Sequence, residues 1–82
     1  MVLEYTDKNV IRMFKLYETF SYHKRMMECS FDEERKTYAN QLHSDIEEIE
    51  AEFPYELRFG LGLERTVLNN LKKVTEQVIR LP

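Results

Sequence analysis

The residues PYELRFGLG, numbers 54–62, decide how this chain folds. Both glycines and the only internal proline lie inside this stretch. Because glycine and proline are the strongest local breakers of regular structure, the sequence on either side lacks strong backbone punctuation. Long helices are therefore predicted on both sides, with residues 54–62 as a hinge or loop. Pro54–Phe59 can itself form a short turn of helix, since proline is well tolerated at a first helical position.

The first helix upstream is predicted over about residues 7–28. Thr6 can cap it, and Asp7 in the opening turn is favourable at the positive end of the helix dipole. Apolar residues recur at three- and four-residue steps, which gathers them on one face. That predicted core face consists of Val10, Met13, Leu16, Tyr17, Phe20 and Met27.

A second helix is predicted over about residues 31–52. Ser30, followed three residues later by Glu33, has the spacing of a capping box. Phe53 precedes proline and is biased out of the helical region, so the helix should stop near Glu52. The predicted core stripe is Tyr38, Ala39, Leu42, Ile46, Ile49 and Phe53. A single continuous helix through Cys29 is the alternative, because neither glycine nor proline separates the two segments.

The third helix is predicted over about residues 63–81, and it carries a seven-residue repeat. Apolar residues follow one another at steps of four, three, four and three: Val67, Leu71, Val74, Val78 and Leu81. Two heptads of this kind indicate a seam between helices. Leu68 and Ile79 lie beside the seam and widen it.

These elements predict an all-α fold, a small bundle of about three helices forming a single domain over residues 1–82. No strand-like alternation of useful length occurs. At this size one hydrophobic core supplies only ~3–5 kcal/mol of net stability. A lone cysteine excludes an intrachain disulfide, and two histidines far apart make no zinc pattern. Homo-oligomerisation is therefore expected to complete the bundle.

Composition and charge narrow the classes of function. The chain has no leader-like start and no long apolar segment, so we expect a cytoplasmic protein without membrane insertion. Its formal net charge is −3, with five basic and four acidic residues in 1–30, two and eight in 31–53, and five and three in 54–82. An acidic middle between mildly basic flanks predicts charge complementarity between neighbouring helices.

Little in the sequence indicates chemistry at a reactive site. His43 and Glu47 share a helix face, but a metal site needs three or four ligands. Cys29 and His23 lack the flanking sequence of a nucleophile site. Gly60-Leu61-Gly62 is too short for a dinucleotide-binding fingerprint. We therefore predict no catalytic residue, no metal site and no cofactor, and no enzymatic activity.

Two surfaces are predicted to bind other molecules. Interface residues are expected on the seam and on the off-core side of the first helix, where apolar residues leave the main core face. The off-core set is Ile11, Phe14, Tyr22 and Met26. Basic residues interleaved with aromatics on the same helix are the alternative contact, for nucleic acid. That basic set is Lys8, Arg12, Lys15, Lys24 and Arg25.

In size, single-domain helical make-up and aromatic, charge-rich composition, the chain is similar to small accessory proteins encoded by large phages. Those proteins bind and redirect a host or phage protein, in host takeover or lysis control. The resemblance covers the whole chain without any specific motif, and it implies a regulatory or inhibitory protein that binds a protein partner. The alternative is a nucleic-acid binder, or an acidic mimic of nucleic acid presented by the second helix.

Overall fold

The computed structural model describes residues 8–82, apart from the side chain of Asn9. Over these residues the chain forms four helices and no strand: α1 (Lys8–Cys29), α2 (Asp32–Glu52), α3 (Tyr55–Gly60) and α4 (Arg65–Ile79). The predicted all-α class is confirmed. The predicted number of about three helices is one too low. The proposed cap at Thr6 and the helix start at Asp7 lie outside the described residues.

The helix α1 ends at Cys29 and α2 begins at Asp32, so the alternative of one continuous helix is wrong. Phe31 occupies the N-cap position of α2 with extended backbone (φ −129°, ψ 157°), and no side chain caps the helix. The predicted capping box does not form, because the helix begins one residue later than Ser30 can cap. Ser30 Oγ instead donates to Glu34 Oε1 at 3.3 Å. Asp32 has a positive φ of 55°, a region that aspartate tolerates better than most residues.

The helix α2 ends where the sequence predicted. Phe53 is extended (φ −81°, ψ 128°), and its N–H still donates to the carbonyl of Ile49 at 2.9 Å. The restriction that proline places on its preceding residue explains this stop. Pro54 then serves as the N-cap of α3.

The short turn of helix proposed for Pro54–Phe59 forms as α3, one residue later and with Pro54 as its N-cap rather than its first residue. A Schellman motif closes it. The N–H of Leu63 donates to the carbonyl of Arg58 at 2.7 Å, and that of Gly62 to the carbonyl of Phe59 at 3.1 Å. This pair of bonds requires a left-handed residue after the helix, and Gly62 supplies it with φ of 73°. Gly60, by contrast, is the last residue of α3.

The helix α4 is two residues shorter at each end than predicted, and its core face is centred on different residues. Leu68, Thr75 and Val78 are buried, while Leu71 and Ile79 are half-buried. Thr75 is tolerated in the core because its hydroxyl donates to the carbonyl of Lys72 at 2.7 Å. The centre of the buried face therefore lies on the Leu68 side of the predicted seam.

The predicted apolar faces of α1 and α2 form the core. Its fully buried centre comes from α2 and α4, where Leu42, Ile46, Ile49 and Leu68 have no exposed surface. The other buried apolar residues are Val10, Met13, Phe20, Met27, Ala39, Phe53, Leu63 and Val78, with Leu16, Tyr17 and Tyr38 packed against them. The helix α2 packs closely against both α1 and α4, whereas the backbones of these two outer helices lie farther apart from each other.

Candidate functional site

One side of α4 presents an uncharged surface to solvent. Its residues recur at steps of three and four, so they share one side of the helix. All are exposed: Val67, Asn70, Val74, Gln77, and Leu81 just past the helix end. We call this set the open face of α4. Since 33% of the chain is charged, a run of this length without charge is unusual for a solvated helix face.

The structure divides the predicted seam between core and surface. Val78 is buried and Leu71 is half-buried, so these two contribute to the fold. Val67 and Val74 are each 39% exposed and Leu81 is 49% exposed. The outer half of the seam is therefore available to a partner, and its role as an interface stays a prediction.

A groove opens between α1 and the segment that leads into α4. Its cavity volume is about 380 Å³. Phe20 and Leu63 are buried in it, and polar groups of α1 stand at its edge, including Lys24, Arg25 and Glu28. The remaining lining residues are Tyr17, Ser21, Leu61, Gly62, Val67 and Leu71. The groove exists because both outer helices pack on α2 and leave space between them.

The turn between α1 and α2 exposes an aromatic ring beside three acidic residues. Phe31 is 81% exposed, the highest value among the large apolar residues of the described chain. Asp32, Glu33 and Glu34 follow it and are also exposed. We call residues 31–34 the aromatic turn. Sequence reasoning missed it, although a phenylalanine directly after a predicted cap residue was a signal that could have found it.

The predicted off-core surface of α1 is largely exposed. Ile11, Phe14 and Tyr22 are 47%, 40% and 52% exposed, and Met26 is half-buried. Tyr22 packs edge-on against Tyr38 of α2, with ring centroids 6.2 Å apart. The hydrogen bond between these two phenols raises the pKa of Tyr38. Tyr22 therefore also helps to hold α1 on α2.

The structure does not bring the predicted basic residues of α1 into one stripe. Lys8, Arg12 and Lys15 share a side, but Lys24 follows Lys15 by nine residues, roughly two and a half turns, and points the opposite way. Arg12 is paired with Glu52 of α2, so its charge is balanced within the fold. Lys24 and Arg25 instead belong to the groove.

A histidine and an aspartate tie α1 to α2 in a partly closed environment. His23 Nδ1 lies 2.5 Å from Asp45 Oδ2, and both side chains are mostly buried. Burial raises the pKa of Asp45, and the hydrogen bond with His23 opposes that rise. The sequence offered no local signal for this pair because 22 residues separate its members.

Polar side chains also join α2 to α4. Lys72 Nζ lies 2.6 Å from Glu50 Oε1, and this contact raises the pKa of Lys72. His43 Nδ1 lies 3.0 Å from Glu47 Oε1, and its Nε2 lies 3.5 Å from Glu76 Oε1. The predicted His43–Glu47 pair is thus formed and extends to α4. These charges flank the core and orient α4 on α2.

Two further features bear on what the described chain can bind. Over residues 8–82 no three His, Cys, Asp or Glu side chains are grouped so that they could hold a metal ion. None of the helices in that range has both the length and the apolar character needed to cross a membrane.

Comparison with family models, curated proteins and solved structures found no match.

Proposed function

We propose that this protein is a small regulatory or inhibitory module, without enzymatic activity, that acts by binding a protein partner. The observation that carries the proposal is the open face of α4, an exposed and uncharged surface of three apolar and two amide side chains on a highly charged chain. Protein interfaces are depleted in charge at their centre, whereas solvated helix faces are rich in it. A partner helix or a shallow apolar groove is the surface that such a strip fits.

The free energy gained by covering the apolar residues of this face is modest, so the open face alone does not account for tight binding. Val67, Val74 and Leu81 keep about two fifths to one half of their surface exposed. Full burial of such a side chain is worth ~1.5–3 kcal/mol, so burying the exposed part of these three residues contributes roughly 0.6–1.5 kcal/mol per residue, or about 2–4 kcal/mol together. That corresponds to about 30- to 1,000-fold in affinity. A tight partner must therefore also contact other exposed residues, and Ile11 and Phe14 on α1 are exposed apolar candidates.

We also propose that the chain is cytoplasmic and self-associates. Its one cysteine, Cys29, is exposed and free, which suits a reducing compartment. A core of this size gains substantially from a second subunit. The resemblance in size and composition to phage accessory proteins supports a regulatory role in host takeover or lysis control.

The test is a charge placed on the open face, with a matched control on the same helix. Val74→Asp adds a negative charge at the centre of the face, whereas Asn69→Asp adds the same charge at an exposed position outside it. Tagged parent and variants are used to recover partners from the native cell, with helicity checked by circular dichroism. We expect Val74→Asp to stay folded and lose the partner that the parent and Asn69→Asp retain. Equal recovery by all three would refute the proposal.

The alternative function is nucleic-acid binding through the basic residues of α1, or mimicry by the acidic surface of α2. Two observations argue against nucleic-acid binding by these basic residues: Arg12 is already paired with Glu52, and Lys24 points away from Lys15. Phosphate contacts release counterions, so such binding would fall steeply with salt. We expect no strong nucleic-acid binding at physiological salt. A sub-micromolar complex that weakens with salt and is lost on Arg12→Glu would promote this alternative.

A further inference from the structure

We propose that the groove of one chain receives the aromatic turn of a second copy, so that two chains exchange turns in a two-fold dimer. This inference rests on the proposed function to the extent that it assigns self-association to a particular pair of surfaces. It uses residues that the open face of α4 does not contain, with the exception of Val67 at the edge of the groove.

The aromatic turn has the features of a ligand rather than of a helix cap. The N-cap position is favoured by Ser, Thr, Asp or Asn, whose side chains accept hydrogen bonds from the first turn. Phe31 occupies it instead, makes no cap hydrogen bond and extends into solvent. Aromatic residues of this kind, inserted into a pocket, are frequent anchors of protein interfaces.

The groove has space for such a ring, and its lining combines apolar side chains with the polar side chains of α1. Its volume of about 380 Å³ exceeds the ~150 Å³ of a cavity that holds benzene. Buried Phe20 and Leu63, together with half-buried Leu61 and Leu71, line it. Gly62 adds no side chain at this position, and a Cβ placed there would meet nothing within 4 Å.

Charge complementarity selects a second copy as the occupant. Lys24 and Arg25 stand at the groove and form no ion pair with any other residue of the described chain. The aromatic turn carries Asp32, Glu33 and Glu34 directly after its phenylalanine. Glu28 also lines the groove, so its charged lining consists of two basic residues and one acidic residue. The excess of basic charge is complementary to the three acidic residues that follow the ring in the aromatic turn.

Each chain carries one aromatic turn and one groove. The 81% exposure of Phe31 shows that its ring does not occupy the groove of its own chain. A two-fold pair satisfies both surfaces of both chains at once and closes the assembly. A head-to-tail arrangement would leave one turn and one groove free and would grow into a polymer. The closed dimer is the arrangement that we propose.

The first experiment uses the absence of tryptophan from the chain. Phe31→Trp introduces a single fluorescent reporter at an exposed site, where it should not disturb folding. We expect its emission to shift to shorter wavelength as protein concentration rises, in step with a monomer-to-dimer transition in sedimentation. Emission typical of water at concentrations where the chain is dimeric would overturn the proposal, as would a monomer at all concentrations or an open-ended polymer.

The second experiment exchanges the charges. Lys24→Glu with Arg25→Glu makes the groove acidic, and Asp32→Lys with Glu33→Lys makes the turn basic. Each double variant alone faces like charges and should dimerise at least about tenfold more weakly, given the coupling typical of close interfacial charge pairs. An equimolar mixture of the two opposes unlike charges at both contacts and should form a heterodimer.

A matched mixture of Lys73→Glu and Glu48→Lys, both at exposed positions outside the turn and the groove, should leave dimerisation of each partner unchanged. Failure of the charge-exchanged mixture to associate, with both variants helical, would refute the contact. This test is distinguishable from the test of the proposed function. Sedimentation of the variants tests the groove, whereas their recovery of a partner tests the open face of α4.

Discussion

Adjacent residues on α4 should respond very differently to truncation, because one lies in the core and the other on the open face. Leu68 has no exposed surface, whereas Val67 is 39% exposed. Leu68→Ala removes three buried carbons, worth about 2.4 kcal/mol at ~0.8 kcal/mol each, and leaves a cavity that raises the cost to about 3–4 kcal/mol. Val67→Ala removes two partly buried carbons without enclosing a cavity, for about 1 kcal/mol.

The assay is urea unfolding followed by far-UV circular dichroism at one fixed protein concentration. A domain of this size has a stability of about 4–12 kcal/mol, so the Leu68 variant loses a large fraction of it. With a urea slope of about 1–1.5 kcal/mol per molar, the midpoint should fall by roughly 2–4 M for Leu68→Ala and by about 1 M or less for Val67→Ala. Equal costs, or a larger cost at Val67, would place the seven-residue seam in the core and refute the assigned face of α4.

Three further predictions follow from the turns and the polar ties. Gly62→Ala should destabilise by about 1–2 kcal/mol through left-handed strain, whereas Gly60→Ala, in the last residue of α3, should be neutral or stabilising; equal effects in thermal unfolding would contradict the Schellman assignment. The raised pKa of Asp45 contributes stability fully present below about pH 4, the unfolded value, and lost as pH rises through the folded value. Asp45→Asn should therefore gain stability relative to the parent between about pH 4 and 7, and a pH-independent difference would be inconsistent with it. Phe31→Ser restores a capping side chain and should stabilise the monomer by about 0.5–2 kcal/mol while weakening the dimer; a less stable monomer would count against the cap assignment.

The helical stripes of α1 and α2 were predictable because both helices are long enough for their apolar residues to recur over several turns. Their buried residues recur at the helical period, and the stop at Phe53 follows from the proline after it. Short helices were harder to predict from the sequence. The helix α3 spans six residues, fewer than two turns, so the only signal for it was the proline that precedes it and not apolar periodicity.

The sequence predictions failed at two places that involve hydroxyl side chains: Thr75 packs in the core, and Ser30 does not cap α2. Thr75 is fully buried in the middle of α4, but a search for apolar periodicity passes over it and shifts the predicted face toward Val74. At the start of α2 the pattern Ser30–Glu33 was correct for a capping box, yet the break falls one residue later. Hydroxyl side chains bond to nearby groups in several ways, so spacing alone does not decide which one forms.

The sequence predicted the seam as an interface, but it did not reveal that only Val67, Val74 and Leu81 of the seam are exposed, because exposure depends on how the helices pack. The open face of α4 exists because this helix turns Leu68 and Thr75 toward α2, which leaves Val74 outside. The groove exists because α1 and α4 both pack on α2, while their own backbones stay farther apart. In a closed three-helix bundle each helix would cover the other two, and the same apolar residues would be core. Here Val67, Val74 and Leu81 remain exposed, and this exposure supports our proposal that a second polypeptide covers them.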